Sequence, residues 1–137
     1  VTSKKRMKHE IGASAEAVYG LDPAKTVDAL LDRENLGPTG VGNGVALPHA
    51  RLEGLEDVVG VMVLLQTPID FASVDRQPVD LVFALFAPVT AGVEHLKALA
   101  LVSRTLRELS VCAKLRANDN PATLYAILTE AQSVQAA

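Results

Sequence analysis

The spacing of apolar residues changes along the chain, and the changes delimit its elements. Met7, Ile11 and Val18 fall at helical intervals, so the first segment predicts a helix that Thr2 or Ser3 caps and Gly20 ends. Asp22-Pro23 has the form of an N-cap followed by a first helical residue. Val27, Leu30 and Leu31 give that second helix its apolar stripe. The period then shifts. Val45-Ala46-Leu47 is a short continuous run that predicts a strand, stopped by Pro48, and residues 58–65 form a longer run rich in β-branched side chains that predicts a buried central strand. Thr67-Pro68 punctuates that run, Ile69 and Phe71 predict a short strand, and Asp75-Arg76-Gln77-Pro78 reads as a turn. Residues 79–87 predict a second buried strand, closed by Pro88.

Helical spacing returns over residues 92–108, with Leu96, Leu99, Ala100 and Leu106 inward. It continues over 111–117, with a last helix opened by Asn120-Pro121 that turns Leu124, Ile127 and Leu128 inward. No linker, repeat or low-complexity segment interrupts the order. The pattern predicts a single α/β domain spanning 1–137, with a central mixed β-sheet flanked by helices on both faces.

Composition narrows the function classes. Of 137 residues 49% are apolar, enough for one domain with a real core and too many for a disordered chain. The formal charge of −3, with no basic stripe carrying interleaved aromatics, argues against nucleic-acid binding. The small cluster Lys4-Lys5-Arg6 with Lys8 reads as a solvated helix face, and His9 within it as exposed and inert. Cys112 is the single cysteine, so no internal disulfide can form. It lies in an apolar-periodic segment and is expected in the core. No run is long enough to span a membrane and no signal-peptide pattern follows the first basic residues, which predicts a cytoplasmic protein without membrane insertion. The chain starts at Val1, directly before a helix, and some natural N-terminal sequence is expected to be missing.

The candidate chemistry lies in Thr39-Gly-Val-Gly-Asn-Gly-Val-Ala-Leu-Pro-His49. Gly40, Gly42 and Gly44 let backbone amides approach an anion and permit positive φ. His49 follows an apolar strand that gives it a rigid mount. The same pattern also describes an ordinary turn followed by a half-buried histidine. It is not a dinucleotide fingerprint, because Pro48 and a strand stand where a helix would begin. His95 follows the strand over 79–87, in the first turn of the long helix. If the strands before His49 and His95 run parallel, both residues reach the carboxyl edge of the sheet, where open α/β sheets bind ligands. The helix start adds unpaired N–H groups that suit a phosphate. Two histidines without a third ligand at a recognisable spacing do not make a metal site, and no Gly-x-Ser-x-Gly elbow is present.

These motifs, taken together, resemble enzyme IIA of the fructose/mannitol class of the bacterial phosphotransferase system. The run from Thr39 to His49 is similar to its active-site signature. Ser3-Lys4-Lys5-Arg6, Leu30-Leu31-Asp32-Arg33-Glu34, Thr67-Pro68-Ile69-Asp70-Phe71, the segment from Asp75 to Phe83 and Glu94-His95-Leu96 agree in order and spacing. The likeness covers nearly the whole chain. Asn43, and the lack of fused membrane or carrier domains, make it most similar to the nitrogen-regulatory branch.

The resemblance implies that His49 is the phosphorylated histidine, His95 a second active-site histidine at the phosphoryl group, and Arg33 an arginine that stabilises it. Amides of Gly42, Asn43 and Gly44, with Glu94 beside the second histidine, complete the phosphate-binding set. Ala50 stands where the family usually has glycine, and the strand that normally precedes Ser3 is absent.

The function so implied is reversible phosphoryl transfer to His49 from a phosphohistidine on an HPr-like carrier, with no metal or organic cofactor. Regulated proteins such as transporters or sensor kinases would respond to the phosphorylation state. Two alternatives stand beside it: a sugar-specific component passing phosphate to a transporter enzyme IIB, and a binding regulator that acts without phosphoryl transfer.

Overall fold

Two helices lead into a sheet built around one strand. The computed structural model describes residues 4–136; the caps expected at Thr2 or Ser3, and the N-terminal strand, lie outside the described residues. Helix α1 (Lys4–Tyr19) buries Met7, Lys8, Ile11, Gly12 and Ala15. The inward stripe ends at Ala15, and Val18, expected inside, is exposed. Lys8 also departs from its expected solvated face: only 1% of it is exposed. It lies one turn before Gly12 on the same face, where the neighbouring helix comes very close. A Cβ on Gly12 would sit 3.0 Å from Val27 Cγ2 and 3.1 Å from the Pro23 carbonyl. A lysine stem of four methylenes can occupy such a face.

Helix α2 (Pro23–Leu36) begins as the sequence predicts. Asp22 Oδ1 accepts the N–H groups of Ala24 and Lys25, and Pro23 occupies the first turn, where no intrahelical donor is lost. Its end is capped by the Gly37 N–H, which donates to the Glu34 carbonyl at 3.2 Å.

Strand β5 (Val79–Pro88) is the axis of the sheet and is buried along almost its whole length. Along one edge run β2 (Val45–Ala46) and β3 (His49–Leu52), both parallel to it; β1 (Gly40–Gly42) pairs antiparallel with β2. On the other edge lies β4 (Val59–Ile69), antiparallel. This mixed sheet agrees with the expected α/β class. The helices α1 and α2 pack on each other, α1 also against β4 and α2 against β3. Met7, Ile11 and Leu30 join Ala50, Val61, Val82, Ala84 and Phe86 in one apolar core.

Two strand expectations change. The strand expected over 58–65 is neither central nor fully buried: β4 pairs only with β5 among the described residues, and buries Val61, Leu65 and Ile69. It also runs through Thr67-Pro68 to Ile69 with an irregular register after Leu64, so Phe71 forms no strand. Proline is tolerated because an edge strand has no second partner for the missing N–H.

Contacts divide the chain into two compact units, one ending at Ala91 and one beginning at Gly92. The second holds α3 (Val93–Arg107), α4 (Leu109–Arg116) and α5 (Pro121–Ala136), which pack on one another. Asn120 Oδ1 caps α5 through Ala122 and Thr123. Cys112 is buried as expected, its thiol 3.1 Å from the Leu106 carbonyl. In α3 the buried positions are His95, Val102, Thr105 and Leu106, whereas the predicted Leu96 and Ala100 are exposed. Apolarity was the wrong criterion for this helix. Two polar residues take inward places, and Thr105 satisfies its hydroxyl within the helix on the Leu101 carbonyl, 2.8 Å away.

Gly60 in β4 lies under the Phe83 ring of β5, and a Cβ there would stand 2.6 Å from its Cζ. Gly60→Ala is therefore expected to lower stability by about 1–3 kcal/mol through overpacking, read from the urea midpoint at unchanged m. A wild-type midpoint would show that the ring can move aside.

Candidate functional site

The site is created by an interrupted strand. Val45 and Ala46 pair with Leu81 and Val82, and His49 to Leu52 pair with Leu85 to Pro88, so β2 and β3 keep one register along β5. Pro48 was expected to end the strand; it only breaks it. Proline has no N–H to give a ladder, but its carbonyl accepts the Leu85 N–H at 2.9 Å and holds the alignment across the gap. His49 is thus the first residue of a resumed strand rather than a residue left beyond a finished one. The Leu47 N–H turns to the Thr39 carbonyl, 2.9 Å away, and the Leu47 carbonyl is left to accept from the imidazole.

The half-buried imidazole is held at both nitrogens. Nδ1 lies 3.0 Å from the Leu47 carbonyl oxygen, and Nε2 is 3.2 Å from Arg33 Nε. A carbonyl can only accept and a guanidinium can only donate. The proton therefore belongs on Nδ1 and the lone pair on Nε2, and both contacts select this one neutral tautomer. Arg33 comes from the last turn of α2. Its Nη1 donates to the Gly37 carbonyl at 2.9 Å, which keeps the guanidinium plane in place. Sequence reasoning found Arg33 only through resemblance, and the structure brings it onto His49.

Gly42, Asn43 and Gly44 form the end of the β1–β2 hairpin. Gly42 pairs with Val45, and Asn43 and Gly44 are the two turn residues, at φ 56° and 76°. Positive φ at both corners is the requirement of a type I′ hairpin, which Asn-Gly meets best. Gly42 itself sits at φ 101°. The Asn43 N–H, expected in a phosphate cradle, is given to Asp75 Oδ2 at 2.8 Å, and the Gly44 carbonyl accepts from Asp80 and Leu81. These residues shape the turn, and the Asn43 amide is already committed to a carboxylate.

Three residues at this site were not singled out by their chemistry. Glu34 accepts the Thr39 hydroxyl at 2.6 Å and its N–H at 3.2 Å, and Asp75 joins the hairpin to the segment after β4. The signal for them was only membership in motifs: Glu34 follows Arg33, Thr39 opens the glycine run, and Asp75 begins a turn and a segment of the family resemblance. His95 and Glu94 belong to the second unit, in the first turn of α3. His95 is buried and Glu94 is exposed. No described helix is long and apolar enough to cross a membrane.

Comparison with known proteins bears on this geometry. The family model described as phosphoenolpyruvate-dependent sugar phosphotransferase system, EIIA 2, matches residues 2–131. The chain is 47% identical over 128 residues to the nitrogen regulatory protein of Bradyrhizobium diazoefficiens, covering 93% of this chain and 84% of that one. Among solved structures it is similar to the nitrogen regulatory protein IIA-Ntr of Neisseria meningitidis, with a TM-score of 0.86 at 35% identity over 93% of this chain and 88% of that one. It also shares its fold with mannitol enzyme IIA of Escherichia coli, solved in complex with phosphorylated mannitol enzyme IIB. There the TM-score is 0.77 at 21% identity over 95% of this chain and 90% of that one.

The Asp75 carboxyl is held below the usual aspartate range, first by the Asn43 N–H and then by that of Gln77. The charged form is the bonded form. Its contribution is therefore present above the unfolded-state value and is lost as pH falls through the lowered folded-state value. The Asn43 and Gln77 amide signals should shift together in acid, below the ordinary aspartate range, and Asp75→Ala should abolish that titration. Amides that titrate at the ordinary aspartate value would disprove the bond.

Proposed function

The chain belongs to the EIIA 2 family of the phosphoenolpyruvate-dependent sugar phosphotransferase system, and on that premise we propose that it is a nitrogen-regulatory phosphocarrier whose nucleophile is Nε2 of His49. The observation that carries this reading is the pair of hydrogen bonds that leaves the lone pair on Nε2 and the proton on Nδ1. The donor is a phosphohistidine on an HPr-like carrier. Nε2 attacks phosphorus, the new N–P bond forms, and the donor's N–P bond breaks with its electron pair returning to the donor imidazole. With the donor ring protonated on its other nitrogen, it leaves as neutral imidazole and no proton has to move, because Nδ1–H stays on the Leu47 carbonyl throughout. The bonds broken and made are of the same kind, so the transfer is close to thermally neutral and reversible.

Once the lone pair is consumed, the Arg33 Nε–H loses its acceptor. It is then free to turn to the oxygens of the arriving group, where charge needs stabilising more than covalent help. The anchor on the Gly37 carbonyl keeps the guanidinium close to the ring during that change. A phosphoryl group adds between one and two negative charges to the site, and this is the label that regulated proteins, transporters or sensor kinases among them, would read.

The nitrogen-regulatory relatives at 47% and 35% identity favour this branch over a sugar-specific one. The mannitol protein, at 21%, shares the fold and was solved with its phosphorylated enzyme IIB. A sugar-specific role would have this chain hand its phosphate to such a IIB, and a turnover assay with a IIB acceptor separates the two. A carrier of the regulatory branch retains the label; a transport component passes it on.

Incubation with a phosphorylated HPr-like donor should add one phosphoryl group by intact mass at neutral pH, lost in acid, and His49→Ala should abolish it. A persistent acid-labile label on that variant would identify another nucleophile. Arg33→Ala should slow transfer by about 100-fold or more, the scale of losing one positioned donor in a transition state. The role that the resemblance implies for His95 is tested separately: His95→Ala should slow transfer with the fold intact, and unchanged kinetics would remove it from the reaction.

A further inference from the structure

We propose that Glu34 is a positioning residue for the His49 imidazole, acting through Thr39 and Leu47; this rests on the reading of His49 as the nucleophile. The last turn of α2 reaches the ring by two routes that leave from adjacent residues. Arg33 touches Nε2 directly. Glu34 reaches Nδ1 through three links. Its Oε1 accepts the Thr39 hydroxyl at 2.6 Å and its Oε2 the Thr39 N–H at 3.2 Å. The Thr39 carbonyl accepts the Leu47 N–H at 2.9 Å, and the Leu47 carbonyl accepts Nδ1–H at 3.0 Å.

The N–H and C=O of a residue belong to different peptide units, so the route transmits position rather than charge. A carboxylate that accepts twice from one residue fixes that residue in both translation and orientation, and charge-assisted bonds are the strong ones. Thr39 is 4% exposed, so its bonds to Glu34 are little contested by water. The position of the Thr39 carbonyl decides where the Leu47 peptide lies, and Leu47 is the residue at which the β2–β3 ladder is broken. Pro48 ties the far side of the break to Leu85. With the near side tied to Glu34, the Leu47 carbonyl has one place to be. That place dictates which imidazole nitrogen carries the proton. Without Glu34, the Leu47 carbonyl drifts, and the tautomer with the proton on Nε2, which cannot attack, gains population.

The test uses the full chain with labelled histidine nitrogens. In the wild type the His49 ring should show Nδ1 protonated and Nε2 unprotonated. In Glu34→Ala the two signals should move toward an average of the tautomers. The maximal rate of phosphoryl acceptance should fall by about 10–100-fold, as expected for a displaced reacting group, while the carrier concentration for half-maximal rate stays the same. Glu34→Gln, which keeps an oxygen for the Thr39 hydroxyl, should recover most of the rate. A folded Glu34→Ala protein with wild-type ring signals and rate overturns the proposal. If that variant does not fold, Thr39→Val removes only the hydroxyl bond and should shift ring signals and rate in the same direction by less; wild-type values there overturn it equally. Absence of label at His49 in the wild type would instead defeat the carrier reading, while the ring signals would still decide the role of Glu34.

Discussion

An imidazole with an obligatory acceptor on one nitrogen and an obligatory donor on the other has a single neutral form that satisfies both. At His49 these partners are the Leu47 carbonyl and Arg33 Nε. Neither is free to choose its place. The Leu47 carbonyl lies on the side away from β5, where the Leu47 N–H meets Thr39, and the Thr39 N–H that could have taken it goes to Glu34 instead; the guanidinium is held by its bond to Gly37. The break in the strand and the last turn of α2 are therefore parts of one device. A Thr39 N–H not taken by Glu34 would have competed for the Leu47 carbonyl; a helix ending one turn earlier would have left Nε2 without a donor.

Around this device the rest of the first unit acts as support. Strand β5 carries both halves of the broken strand on one edge and β4 on the other, and the apolar contacts of α1 and α2 hold the helix end over β3. The Asn43-Gly44 hairpin returns the chain from β1 to β2, and Asp75 pins its tip. The glycines that look like an anion cradle thus spend their conformational freedom on a tight turn. Tight turns and amide cradles share a sequence pattern because both need positive φ.

Read as a pattern, the chain discloses the broad element order, the Asp22-Pro23 helix start and a buried strand over 79–87, but it puts the centre of the sheet at 58–65 rather than at β5. It misleads where a polar residue takes an inward place, as Lys8, His95 and Thr105 do, or where an apolar residue is left outside, as Val18 and Leu96 are. It also misleads at prolines. Pro48 and Pro68 read as strand ends, yet one sits in a gap that a parallel neighbour bridges and the other on an edge. In each case the local preference is real, and a tertiary partner decides its outcome.

What the amino-acid sequence determined by itself was the family: a histidine after a glycine-rich run and a proline, with further motifs in an order shared with the EIIA 2 family. These are local or collinear properties, and they survive without coordinates. Which ring nitrogen holds the lone pair, that Arg33 reaches it, that Glu34 holds Thr39 and that Asp75 pins the hairpin were decided only by the folded chain. The Arg33–His49 and Asn43–Asp75 contacts join residues far apart in sequence, and a hydrogen bond that is good at about 3 Å and gone at about 4 Å depends on strand register and on where a helix ends.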